Sequence, residues 1–128
     1  MHVLLDTHTF LWFVSDDRRL PVRVRDMIED PSRDRFVSLV SCWEIAIKCS
    51  IGRLDLKSPI DQIFDEEIEG NGLVPLGIER RHLLEISALS EVHGDPFDRL
   101  LVAQARVEDL TLLSTDKMLD SYGVARIW

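Results

Sequence analysis

The stretch Val3-Leu4-Leu5-Asp6-Thr7-His8-Thr9-Phe10 sets three consecutive apolar residues against an abrupt carboxylate. A short apolar run bounded in this way suits a strand buried on both faces, ending at Asp6. A brief helix is expected from Thr9 to Val14. The same grammar recurs along the chain. Phe36 to Val40 reads as a strand, followed by a helix that Ser41 caps and that stops at Gly52. Leu110 to Ser114 reads as another, followed by a helical turn from Asp116 to Leu119.

The remaining elements fit between these. Pro21 and Pro59 suit the first turns of helices running to about Asp30 and to Gly70-Asn71-Gly72. Leu73 to Leu76 carries Pro75 inside it, which confines it to a sheet edge. Helices from Glu79 to Leu89 and from Pro96 to Glu108 follow, and Val124 to Ile127 is a last strand. Apolar strands separated by helices define an α/β fold with a parallel sheet covered on both faces. No internal repeat or Gly/Ser-rich linker divides the 128 residues, so one domain, 1–128, is expected.

Composition narrows the function. With 23 acids against 15 Lys and Arg, the net charge of -8 argues against bulk electrostatic attraction to nucleic acid. It leaves room for acids gathered around metal ions beside local basic patches, for which Arg18-Arg19, Arg23 with Arg25, and Arg80-Arg81-His82 are candidates. No apolar run is long enough to span a membrane. The opening residues lack a basic signal-peptide start, so a cytoplasmic protein is expected. Cys42 and Cys49, seven apart on one helix, lie roughly 10 Å from each other, too far for a disulfide. Both are expected as reduced, buried thiols, with no second metal-ligand pair to suggest zinc.

The informative acids stand where strands end. Asp6 follows VLL, Asp116 follows LTLLST, and Glu44 lies one helical turn after FVSLV. In parallel α/β sheets, ligands gather at the carboxyl ends of the strands. Asp98, in HGDPFDRLLVAQA, has Leu101, Val102 and Ala105 on its own helical face, so it points towards the protein. Each acid also has a plain structural role. Asp95, Pro96 and Asp98 make a helix start; Ser41 and Glu44 fit a capping box, and Glu44 pairs with Lys48 at i,i+4. Together, however, four converging carboxylates repel and need a cation. A hard ion, Mg²⁺ or Mn²⁺, suits such a set and suits phosphodiester cleavage. Glu44 is therefore expected to turn towards Asp6 and Asp98, leaving its capping box half-made.

The segments LLDTHTFLW, SCWEIAIKCSIGRL, HGDPFDRLLVAQA and LLSTDKMLDSY, in this order, resemble PIN-domain proteins, and among them the VapC-type toxins of bacterial toxin–antitoxin pairs. The resemblance implies a three-layer α/β/α fold with a central parallel sheet and a Mg²⁺- or Mn²⁺-dependent endoribonuclease. It implies Asp6, Glu44, Asp98 and Asp116 as catalytic and metal-binding acids, with Asp116 the most variable. Metal-activated water would attack an RNA phosphate, giving 5′-phosphate and 3′-hydroxyl products. It further implies an RNA substrate, a small antitoxin lying over a groove near Val22–Ile28 and Ile60–Ile68, and a homodimer.

Around these acids, Thr7 and Thr115 are candidate partners of the ligand carboxylates. Arg99 and Lys48 are salt-bridge partners first and RNA contacts second. His8 and His93 lie close to motif acids, but an all-carboxylate site has no need of them. Trp12 and Trp43 read as core. Two other readings compete. A haloacid-dehalogenase-like phosphatase expects a second Asp two residues after the first, where His8 stands. A degenerate PIN module would bind RNA or protein without cleaving.

Overall fold

The computed structural model describes residues 1–91 and 94–128. In chain order the elements are β1 (Val3–Leu5), α1 (Thr7–Val14), α2 (Val22–Glu29), β2 (Arg35–Ser38), α3 (Leu39–Ser50), α4 (Ile60–Glu67), β3 (Val74–Leu76), α5 (Arg80–Ile86), α6 (Pro96–Glu108), β4 (Thr111–Leu113) and β5 (Arg126–Ile127). Short 3₁₀ turns cover Glu69–Asn71 and Lys117–Tyr122. The strands form one parallel sheet in the order β3-β2-β1-β4-β5.

Side-chain alternation sorts the core into two layers. Val3, Leu5, Val37 and Leu113 face one side with Phe10 of α1, Val24 and Ile28 of α2, and Ile45 of α3. Leu4 and Leu112 face the other, with Leu100, Leu101, Val102 and Ala105 of α6. This is the expected three-layer α/β/α arrangement. Because β1 is covered on both faces, VLL is apolar throughout. Pro75 lies on β3, which among the described residues pairs with β2 alone, the edge position that a proline tolerates.

Three expectations need correction. The helix bearing Glu44 begins at Leu39, not at Ser41: β2 ends at Ser38, whose hydroxyl accepts the Val40 N–H at 3.0 Å and caps α3. Ser41 is thus inside the first turn, and the Ser41–Glu44 capping box does not form. Cys49 is only half-buried, whereas Cys42 is buried. Burial, reinforced by the charge of Glu69, pushes the Cys42 thiol up to about 11. Trp43 is 55% exposed and not core. It faces outward on α3, meeting Phe97 edge-on with ring centroids 5.0 Å apart.

Two buried polar groups brace the sheet. Gln104, fully buried on α6, accepts from the Ser38 hydroxyl at 2.6 Å and donates to the Gly77 carbonyl at 3.2 Å. It ties the ends of β2 and β3 to the helix layer. Arg35 on β2 donates to the carbonyls of Ile28, Arg33 and Gly72. Its charge is buried, but every contact is an acceptor, as burial demands. Gly72 sits at φ +73°, and a Cβ there would meet the Arg35 guanidinium at 3.2 Å.

Candidate active site

From β1 the chain steps outward to β2 and then β3, and β4 returns to the opposite flank of β1. The connections therefore diverge between β1 and β4, leaving a crevice at their carboxyl ends, where ligands bind in sheets of this kind. Asp6 and Asp116 follow these two strands.

Asp6 is 6% exposed. Its N–H bonds to the Leu113 carbonyl at 3.2 Å, and its Oδ1 accepts the Thr9 N–H at 2.8 Å, capping α1. This cap starts α1 at Thr7, two residues earlier than expected. Oδ2 takes no hydrogen bond among the described residues, and it is not sealed from solvent.

Glu44, 4% exposed, sits in the second turn of α3. The Thr7 hydroxyl donates to its Oε1 at 2.7 Å, and Lys48 Nζ lies 2.5 Å from Oε2. Ser41 Oγ shares a further bond with Thr7 at 2.9 Å. Glu44 thus reaches the residue directly after Asp6 and leaves the Ser41 amide alone. Its charge, costly to bury alone, is held by a hydroxyl and an ammonium.

Asp98 lies in the first turn of α6, half-buried, with its N–H donating to Asp95 Oδ1 at 3.3 Å. Leu101, Val102 and Ala105 are buried as their spacing predicts. A helix that feeds a parallel strand after only two residues must end at the amino edge of the sheet. Asp98 therefore stands at the carboxyl edge with the other acids. The Trp43–Phe97 contact strengthens this, since Glu44 and Asp98 each directly follow one ring of the pair. Asp116, also half-buried, caps the 3₁₀ turn at Lys117–Tyr122 by accepting the Met118 N–H at 3.0 Å.

Strand order and helix direction put the four acids at the carboxyl edge of the sheet. No three of them bring ligand atoms into one tight cluster among the described residues. Among the described residues, the group whose ligand atoms lie within 4.8 Å of one another is Glu79, His82 and Glu108. Glu108 is ten residues after Asp98 on α6, roughly 15 Å along the helix. The cluster is already satisfied. His82 Nδ1 accepts the Glu79 N–H at 2.9 Å, so Nε2 carries the proton and faces Glu108 at 2.9 Å. Arg81 bridges both glutamates. We read it as a lock between α5 and α6. The rim offers hard oxygen donors, and Mg²⁺ typically takes one or two carboxylates with several waters. An open set of this kind fits such an ion.

The neighbouring groups sort as follows. Lys48 holds Glu44, as its helical spacing predicts. Thr115 is exposed, and His8 is exposed beside the Trp12 ring at 5.9 Å. Arg99 donates to the Ser90 carbonyl at 2.7 Å. His93 lies outside the described residues. Sequence reasoning missed Ser38 and Gln104. The available signal was a lone amide in the apolar stripe LLVAQA.

A parallel sheet that winds both ways from its switch point between β1 and β4, with helices on both faces, defines the class of doubly wound α/β domains. Within it, the chain belongs to the PIN domain family, whose model matches residues 3–125. It is 28% identical over 123 residues to ribonuclease VapC22 of Mycobacterium tuberculosis (strain ATCC 25618 / H37Rv), covering 94% of this chain and 91% of that protein. Its fold matches a chain of VapBC2 from Rickettsia felis bound to a promoter DNA fragment, with TM-score 0.75 and 11% identity over 99% of this chain and 98% of the other. DNA-bound VapBC from Salmonella typhimurium matches with TM-score 0.72 and 16% identity, over 99% and 97%.

Proposed function

We propose that this chain is a Mg²⁺- or Mn²⁺-dependent endoribonuclease, a single PIN domain acting as the toxin of a toxin–antitoxin pair in the cytoplasm. One observation carries the reading. The buried carboxylate of Glu44 on α3 accepts the hydroxyl of Thr7, the residue next to the buried Asp6, at the switch point of a PIN fold. The similarity to ribonuclease VapC22 supports RNA as substrate, and the likeness to VapBC complexes supports a small protein antitoxin as partner.

When bound, the ion supplies a Lewis acid that lowers the pKa of a coordinated water and offsets phosphate charge. Asp6, through Oδ2, and Asp98 are the residues assigned to hold it. Glu44, with Thr7 and Lys48 fixing its two oxygens, accepts a proton from the attacking water or binds through water. Asp116 completes the acidic rim on the β4 side. α2 and α4 present half-buried apolar residues, including Met27, Ile60, Ile63 and Phe64, as the groove assigned to the antitoxin. A homodimer completes the reading.

The test is cleavage of RNA with Mg²⁺ or Mn²⁺, with and without chelator, by the parent protein and by Asp6→Asn. The expected result is metal-dependent cleavage that Asp6→Asn abolishes. Equal activity in the variant overturns the mechanism. Absence of cleavage with metal bound favours a noncatalytic binding module.

A further inference from the structure

A cavity of about 710 Å³ opens beside β5, on the face of the sheet covered by α2. Its volume falls within the ~300–1,000 Å³ typical of ligand sites. Arg23 of α2, Arg33, Lys117 and Arg126 line it, with Trp128 supplying aromatic surface. Four cations on one cavity stand out in a chain of net charge -8.

Two of the cations are already matched. Arg126 is paired with Asp120 through Nε at 2.7 Å, and Arg33 with Asp30 at 3.1 Å. Arg23 and Lys117 are both exposed, and neither lies within ion-pair distance of a carboxylate among the described residues, though the Lys117 charge also acts on Asp120. The cavity therefore keeps an excess of positive charge. Its aromatic wall is braced: the Trp128 ring packs against Trp12 with centroids 5.6 Å apart, and the Arg19 guanidinium lies 4.6 Å over Trp12.

The cavity wall also reaches the two neighbours of Asp116 in the chain, Thr115 and Lys117. The Arg126 guanidinium is held charged chiefly by Asp120, and Asp116 contributes to the same field.

We propose that this cavity is a holding subsite for single-stranded RNA, with Arg23 and Lys117 engaging backbone phosphates and Trp128 stacking a base. The inference rests on the nuclease reading and extends it to how the strand is held. A cationic groove with an aromatic platform is the combination that holds single strands without reading their sequence. A net-negative protein repels RNA at long range, so binding must come from local contacts such as these. A strand leaving the cavity past Thr115 arrives at Asp116.

The experiment measures binding of a fluorescent single-stranded RNA of about 12 nucleotides to the Asp6→Asn protein in chelator, so that cleavage plays no part. Adding Arg23→Ala with Lys117→Ala is expected to weaken binding about tenfold or more. The salt slope should fall by about 1.4, at ~0.7 for each lost single-strand phosphate contact. Trp128→Ala should weaken binding by about fivefold or more. Arg53→Ala with Lys57→Ala removes the same charge from exposed positions elsewhere and should leave binding near the parent value. Unchanged affinity and slope in the Arg23/Lys117 variant overturn the proposal while leaving the nuclease reading intact. Equal losses in the two charge variants also overturn it, because bulk charge then accounts for binding. Loss of poly-glutamate binding with RNA binding unchanged overturns it in favour of an acidic protein partner. Intact site-dependent RNA binding without cleavage by the parent protein in metal sinks the nuclease reading and leaves the subsite standing.

Discussion

The Thr7 hydroxyl donates to Glu44 Oε1 at 2.7 Å, across 37 positions of sequence. Through it, the first residue of α1 orients a carboxylate on α3. Thr7→Val keeps the side-chain shape but removes the donor, leaving Glu44 with Lys48 alone. We expect kcat on RNA to fall by about tenfold with KM little changed, and stability to fall by about 1–2 kcal/mol. Thr7→Ser should restore most of both. Steady-state cleavage with urea unfolding checks this, and full activity in Thr7→Val would show that the bond is structural only.

Lys48 holds the other oxygen of Glu44 at 2.5 Å and so stands in for a cation. Lys48→Met leaves a buried carboxylate without its charge partner. In chelator the variant should melt below the parent protein. Adding Mg²⁺ or Mn²⁺ should raise its melting temperature by more than it raises the parent's. Thermal melts with and without metal decide the matter. An equal metal effect in both proteins would mean that Glu44 does not sense the ion.

Gln104 satisfies Ser38 and Gly77 together while fully buried. Gln104→Leu fits the apolar surroundings but strands both partners. An unsatisfied buried polar group costs about 1–3 kcal/mol, so the urea midpoint should drop accordingly. The effect should extend to activity, because Ser38 caps the helix that carries Glu44. A stability equal to the parent's would show that water replaces the amide.

The His82 N–H and the adjacent Arg81 hold the Glu108 carboxyl below its ordinary value of 4.5. A depressed carboxylate contributes stability that is present above its unfolded pKa and lost as pH falls through the folded one. The parent protein should therefore lose stability below about pH 4.5 more steeply than Glu108→Gln. Urea unfolding from pH 6 to pH 3 measures the two slopes, and parallel curves would refute the coupling.

The order of elements was legible in the sequence because local chemistry dictates it. Short, largely apolar runs such as VLL and LTLL can satisfy themselves only when buried on both faces of a sheet, and Pro96 and Pro75 mark a helix start and an edge strand. The positions of Asp6 and Asp116 at strand ends followed from the same pattern. The face of α6 was also readable, from Leu101, Val102 and Ala105 at helical spacing. Other features depended on contacts between distant residues. Ser38, not Ser41, caps α3 because β2 stops where its pairing with β1 and β3 stops. Glu44 chose Thr7 and Lys48 over the Ser41 amide because packing α3 against α1 brought that hydroxyl within reach. Trp43 lies outside because α3 turns its apolar face to the sheet through Ile45 and Cys42 instead. The cationic cavity draws Arg23, Arg33, Lys117 and Arg126 from four segments, and no spacing rule links them. Periodicity and turn chemistry act over a few residues, so the sequence alone determined the elements and their acids. Which groups meet across the sheet was decided only by the tertiary structure, where strand register and helix packing set every distance.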